Sequence, residues 1–295
     1  MDERRRMNRL FCFGLGYTAG VLAQRLAAAG WKIAGTSTSE AGLAPLAAKG
    51  YDACLFDGKN PGANVAAALA GTTHVLVSAP PEANGDVALA HHAEDIAAAD
   101  TIRWIGYLST IGVYGDCDGA WIDETQELNP ESERTRWRVE AEQAWLDLGR
   151  RTGKPVMIFR LPGIYGPGRS AVDHLRDGTA RRIVKPGQVF NRMHVEDIAS
   201  TLQASIAHPN GGAVYNLADD EPAPNHEIVE FAANLLGAPV PPAIPFESAD
   251  LSPMAASFYA SNRRVKNHRI KQELGVQLAY PTYREGLAAI AQHSP

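Results

Sequence analysis

The chain has 295 residues, 45% of them hydrophobic, with 28 Lys and Arg against 33 Asp and Glu for a formal net charge of −5. That length fits one large α/β domain, or one domain with a smaller lobe, and the apolar content suffices for a sizeable core. The acidic balance, without a long basic run, gives no electrostatic footprint for nucleic acid, and no stretch approaches the roughly 18 apolar residues of a membrane span.

Cys12, Cys54 and Cys117 lack the spacing of a metal or disulfide framework. Residues 1–8 are charged and read as a disordered extension. The apolar run after them is short and broken by glycine, unlike a signal peptide, so the protein reads as cytoplasmic.

In chain order, Leu10-Phe-Cys-Phe13 is a short apolar run ended by Gly14. An alanine-rich amphipathic helix is predicted over 17–29, closed by Gly30. Strands follow at 31–36, 53–56, 74–78 and 102–109. Helices alternate with them at 41–49, 65–69 and 86–99. Such alternation implies parallel βαβ units and a doubly wound sheet. After Pro130 a helix begins near Ser132. Beyond about Gly166 the alternation weakens: a strand is predicted over 187–194, a helix over 198–207, a strand over 215–218 and a helix over 225–236. Ala238-Pro-Val-Pro-Pro-Ala-Ile-Pro245 must run extended, because each proline fixes φ and pushes the preceding residue out of the helical region. Ser261–Asn267 is expected to begin the last helical section.

Gly14-Leu15-Gly16-Tyr17-Thr18-Ala19 fits G-x-G-x-x-G/A between the first strand and the first helix. Glycine permits a tight turn and a close approach of the backbone to a pyrophosphate, which the amides of the helix N-terminus then meet. The plainer alternative is a turn kept for packing. The second strand ends in Thr36-Ser37-Thr38-Ser39, where an NAD-preferring site usually carries an acid for the ribose 2′-hydroxyl. Without that acid the reading leans to NADP over NAD; alternatively these hydroxyls cap the next helix. Asp57 follows the third strand, either as an acceptor for the adenine amino group or as a turn residue. Ser78-Ala79-Pro80-Pro81 ends the fourth strand and is expected beneath the cofactor's ribose.

The next signals are Ser109-Thr110 before Val113-Tyr-Gly115, then Asp123-Glu124, Pro130 and Glu142. Arg160-Leu-Pro-Gly-Ile-Tyr-Gly-Pro-Gly168 and His194-Val-Glu-Asp197 follow. Tyr215-Asn-Leu-Ala218, Leu274-Gly275, Tyr280-Pro281 and Glu285-Gly-Leu287 complete the set. In this order and spacing the chain resembles the extended short-chain dehydrogenase/reductase family, the NAD-dependent epimerase/dehydratase group, over nearly its whole length. The resemblance implies a Rossmann-type doubly wound parallel sheet over 1–165. Residues 166–295 would contribute later strands and a smaller substrate lobe.

In that family a Ser or Thr, a Tyr and a Lys act together. Thr110 matches the Ser/Thr, which orients the substrate. Arg134 falls on the Tyr position and Arg138 on the Lys position. Arginine stays protonated, so neither can replace the phenol in proton transfer. Arg138 could keep the lysine's fixed charge and bind ribose hydroxyls. Arg134 could clamp a carboxylate or phosphate, or stabilise an oxyanion. Four apart on a helix, they would share a face; alternatively both are surface charges paired with Glu131, Glu140 or Glu142. The pattern resembles the atypical, YeeZ-like branch of the family, which lacks the Tyr and Lys. The resemblance also puts Pro162 on the cofactor side, and Ser109 and Arg192 on the substrate side.

Candidate substitute proton donors are few: Tyr107, Tyr114, Tyr165 and His194 lie near the right strands, and the last three match family positions that are usually structural. His91-His92 with Asp95 do not converge as metal ligands, because adjacent helical residues point about 100° apart. Arg176, Arg181, Arg182 and Lys185 either attract an anionic substrate or are ordinary surface charges. Two functions stay open. One is an oxidoreductase or epimerase/dehydratase acting on an anionic, sugar-derived small molecule. The other is a silent dinucleotide-binding sensor. Family analogy is compatible with a homodimer through the helix of Arg134 and Arg138.

Overall fold

The computed structural model describes residues 8–293. The first seven residues of the expected extension, and the last two of the chain, lie outside them. The elements up to the first crossover set are β1 (Arg9–Phe13), α1 (Tyr17–Ala28), β2 (Lys32–Ser37), α2 (Glu40–Ala48), β3 (Asp52–Leu55), α3 (Val65–Leu69), β4 (His74–Val77), α4 (Val87–Ala98) and β5 (Trp104–Thr110). Next come β6 (Trp121–Ile122), α5 (Glu133–Thr152), β7 (Val156–Leu161), β8 (Gly163–Tyr165), α6 (Ala171–Arg176), β9 (Arg182–Val184), β10 (Arg192–His194), α7 (Val195–Ala207) and β11 (Val214–Asn216). The chain closes with α8 (Asn225–Leu236), β12 (Ala243–Pro245), α9 (Pro253–Ser257), β13 (Arg264–Val265), α10 (His268–Glu273) and α11 (Tyr283–His293).

Among the described residues the main sheet has seven strands in the order β11-β7-β5-β4-β1-β2-β3. β1 pairs in parallel with both β2 and β4, with Phe11 opposite Ala34 on one side and Val75 on the other. The chain order therefore reverses at β1, which makes the C-terminal ends of β1 and β4 the switch point of the sheet. Parallel strands covered on both faces tend to apolar runs, and β7 buries all six of its residues, Arg160 among five apolar ones.

The chain divides into two compact units. The first holds the chain up to Thr110 together with Ser132–Phe159 and Ala199–Tyr215. Its core packs Phe11, Phe13, Val75, Val77, Tyr107, Trp145 and Ile158. In α1 the buried Ala19, Leu22, Ala23 and Leu26 recur at helical spacing and form the face laid on the sheet. α5 starts in a capping box between Ser132 and Thr135 and stops at Gly153, whose φ of 70° is left-handed. The second unit holds Ile111–Glu131, Arg160–Ile198 and Asn216 onward, around a core of Tyr165, Val172, Ile228, Tyr283 and Leu287. These interleaved units differ from the single expected boundary at 165/166.

Two local expectations change. The strand predicted over 187–194 shrinks to Arg192–His194. Ahead of it the Val189 amide donates to Asn262 Oδ1, and the Gln188 side chain to the Ser261 carbonyl, so these residues follow a neighbouring loop. Ser261–Asn267 does not begin a helix. Arg264 and Lys266 donate to the carbonyls of Ala120 and Ile122 at 2.8 Å, pairing β13 with β6, and the helix starts at His268. No helix among the described residues is long and apolar enough to cross a membrane.

Candidate functional site

The turn after β1 is fixed from three sides. The Phe13 carbonyl accepts from the amides of Ser78 (2.8 Å) and Ala79 (2.9 Å), which ties the end of β1 to the end of β4. The Gly14 amide donates to Thr36 Oγ1 at 2.8 Å, and the Leu15 amide to the Thr36 carbonyl at 2.9 Å. Gly14 has φ +83°, and a Cβ there would lie 3.0 Å from the Ala79 nitrogen. Backbone conformation and space both demand glycine at this position.

Gly16 is different. Its backbone is extended, with φ −90° and no left-handed demand for glycine, and a Cβ would meet nothing within 4 Å. The packing of the protein itself does not explain the absence of a side chain. Gly16 caps α1 without a side-chain hydrogen bond, and helical bonding begins with Gly20 donating to the Gly16 carbonyl at 2.7 Å. The first-turn amides of Thr18 and Ala19 thus precede the intrahelical ladder and add their partial positive charge at its mouth. Leu15 and Thr18 are buried and Tyr17 is exposed. Leu15 packs so closely on β2 that a Cβ at Gly35 would lie 2.7 Å from its Cδ1. Leu15 therefore serves the turn through its backbone.

At the end of β2, Thr36 is buried and spent on the turn. Ser37 Oγ donates to the Ser39 carbonyl at 3.0 Å, and Ser39 caps α2 by accepting from the Gly42 amide. The hydroxyl cluster thus also does the capping that the sequence left open as an alternative. Asp57 is exposed and accepts from the Lys59 amide at 3.0 Å. The loop behind it is held by two side chains that the sequence had suggested only as unsuitable metal ligands: His91 Nε2 lies 2.9 Å from the Gly58 carbonyl, and His92 Nε2 lies 2.7 Å from that of Pro61.

At the end of β5 the side chains separate by depth. Ser109 is buried and its hydroxyl donates to Glu142 on α5. The structure therefore turns Ser109 toward the helix rather than toward an open surface, while Thr110 is half-buried. Arg138 donates through one nitrogen to the Leu108 carbonyl (2.7 Å) and to Tyr107 Oη (3.3 Å). Behind it lies Asp86, the buried cap of α4, which accepts from the amides of Ala88 and Leu89 at 3.0 Å. Burial pushes the Asp86 carboxyl up, and the hydrogen bonds it accepts, first from the Leu89 amide, partly offset this, with the Arg138 charge adding least. Arg134, one turn earlier on α5, is exposed. The two guanidiniums thus take different roles, one folded onto the strand and one open to solvent.

The substitute proton donors are all internal. Tyr107, Tyr114 and Tyr165 are buried, and burial raises each phenol above its ordinary value. In the second unit Tyr114 Oη donates to Asn216 Oδ1 at 2.7 Å and receives from Arg160 at 2.8 Å. The His194 ring lies 4.1 Å from that of Tyr280, tilted by 46°, and accepts from the Glu196 amide. Pro162 is half-buried between β7 and β8. Arg192 is only 8% exposed and reaches the Ala223 carbonyl at 3.4 Å, so it lies inside the lobe. Arg176 and Lys185 donate to the carbonyls of Ala291 and Tyr259, and Arg182 pairs with Glu230 at 2.8 Å. These basic residues fasten the lobe to itself.

An open sheet whose order reverses at a glycine turn is the Rossmann-type α/β class. The chain is similar to a functionally unknown conserved protein from Silicibacter pomeroyi, at 51% identity over 97% of this chain and 99% of the other, with a TM-score of 0.89. It belongs to the family of that protein. It is also 28% identical to Protein YeeZ of Escherichia coli strain K12, over 93% of this chain and 97% of YeeZ. A dTDP-glucose 4,6-dehydratase from Bacillus anthracis, solved in complex with NAD, shares the fold with a TM-score of 0.78 at 19% identity, covering 97% of this chain and 96% of the other. No family model matches the chain.

Proposed function

We propose that the chain binds a nicotinamide dinucleotide with its diphosphate against the 14–19 turn. We propose further that it acts as an oxidoreductase or epimerase/dehydratase on an anionic, sugar-derived small molecule. The observation that carries this is Gly16: its side chain is missing where the protein leaves room for one, as a cradle for a closely approaching ligand requires. The donor set fits, since Thr18 and Ala19 offer helix N-terminal amides and no carboxylate stands at the end of β2. That missing carboxylate supports NADP over NAD, because it removes a repulsion against a 2′-phosphate.

When bound, the dinucleotide would supply hydride transfer. Arg138, anchored on β5, would hold ribose hydroxyls with its remaining donors. Thr110 would orient the substrate oxygen. Arg134, exposed and permanently charged, would clamp a carboxylate or phosphate or stabilise an oxyanion. Arginine does not exchange a proton at physiological pH, so proton transfer falls to water or to the substrate itself. The burial of Tyr107, Tyr114 and Tyr165 favours a second reading, a silent dinucleotide sensor.

Separate titrations of NADH and NADPH, followed by nicotinamide fluorescence, test the shared premise. Binding of neither would remove both readings, and tighter NADH binding would remove the NADP preference. A substrate panel then separates the two. An enzyme loses turnover in Arg134→Ala with dinucleotide affinity unchanged, whereas a sensor binds the dinucleotide and transfers no hydride.

A further inference from the structure

We propose that His91 and His92 are positioning residues for the adenine end of the dinucleotide, fixing from α4 the loop that presents Asp57. This rests on the dinucleotide reading above. The loop after β3 carries Asp57 at its start, and two of its carbonyls are taken by consecutive histidines. His91 Nε2 lies 2.9 Å from the Gly58 oxygen and His92 Nε2 lies 2.7 Å from the Pro61 oxygen. A carbonyl only accepts, so Nε2 of each ring donates.

His92 is 1% exposed, and its ring is held on every side. Asp95 Oδ2 sits 2.8 Å from Nδ1. Phe13 and Phe56 lie at ring distances of 5.7 and 5.4 Å. Phe13 is the residue before the Gly14 turn, so one ring touches both the adenine-side loop and the strand that ends at the diphosphate turn. The loop itself sits tightly on α4. Gly58 has φ +80°, and a Cβ there would lie 2.9 Å from Val87 Cγ1.

Asp57 meanwhile stays exposed. One carboxylate oxygen accepts from the Lys59 amide, which orients the group and leaves the other oxygen for an exocyclic amine. Adjacent helical side chains point about 100° apart. Here the loop crosses the helix face so that each ring meets a different carbonyl.

The test uses whichever of NADH and NADPH binds more tightly, beside its hypoxanthine analogue, which has a carbonyl in place of the adenine amino group. The wild-type protein is expected to prefer the adenine form by about tenfold, the range of a hydrogen bond to a charged group. His91→Ala and His92→Ala should bring that ratio close to one while affinity for the hypoxanthine form stays level. His91→Gln and His92→Gln, whose amide nitrogen stands near the imidazole Nε2 position, should restore most of the ratio. Asp57→Asn should abolish it directly. A role in folding alone would weaken both dinucleotides together, and that result overturns the proposal. So does a ratio that survives both alanine variants. Should the buried His92→Ala fail to fold, half-buried His91→Ala carries the test. If the wild-type protein binds the two forms equally, this proposal falls and the dinucleotide reading stands. If it binds neither, both fall.

Discussion

Arg138 donates to the Leu108 carbonyl at 2.7 Å and lies 5.9 Å over the Tyr107 ring. The bond fastens a fixed positive charge to the end of β5, where the strand hands the chain on to Thr110. Only one guanidinium nitrogen is spent on Tyr107 and Leu108, and the planar fork keeps further donors at a set angle. Arg138→Met should therefore weaken dinucleotide binding by about tenfold or more, since a charged hydrogen bond is worth about 1.5–3 kcal/mol. Arg138→Lys keeps the charge and should recover part of the loss. Calorimetric titration of the three proteins decides it, and equal affinities would remove Arg138 from the site.

The two glycines of the turn should fail in opposite ways. Gly14→Ala puts a side chain at φ +83° and against the Ala79 backbone. The conformational part alone costs about 1–2 kcal/mol, so the melting temperature should fall. Gly16→Val meets open space at φ −90°. Its melting temperature should stay near that of the wild type while dinucleotide binding disappears. If Gly16→Val bound normally, the case for a ligand in this turn would be lost.

Thr36 should prove structural rather than phosphate-binding. Its hydroxyl is the acceptor for the Gly14 amide, and Thr36→Val leaves that amide unsatisfied at a cost of about 1–3 kcal/mol. Thermal unfolding should show the loss, and Thr36→Ser should reverse most of it. A drop in NADPH affinity without a drop in stability would return Thr36 to the 2′-phosphate.

What the sequence made legible was what local pattern controls. Alternating apolar runs and glycine stops located β1 to β5 and the helices between them within a residue or two. The G-x-G motif located the turn. The side-chain partners were hidden, because they join residues far apart in the chain. Ser109 and Glu142 meet across 33 positions, and His91 and Gly58 likewise across 33. The late strand at Arg264–Val265 was missed for the same reason. Its pairing with β6 and the Asn191 side chain that receives the Val265 amide are long-range, and the polar run Ser261–Asn267 carries no strand period of its own.

His74 makes stability depend on acid. It is buried at the start of β4, 2.8 Å from Thr73 Oγ1, with Trp31 at a ring distance of 4.6 Å. Burial first, and the Arg103 charge second, bring its pKa from 6.5 down to about 4. Between those values the unfolded chain holds a proton that the folded chain refuses, so the unfolded state binds more protons and stability rises with pH. The contribution is complete above about pH 6.5 and is lost as the pH falls toward about 4. His74→Phe keeps an aromatic ring beside Trp31 and removes the titrating group. Urea midpoints taken across this window should fall with acid more steeply for the wild type than for His74→Phe. Parallel curves would mean that His74 takes up its proton without disturbing the fold.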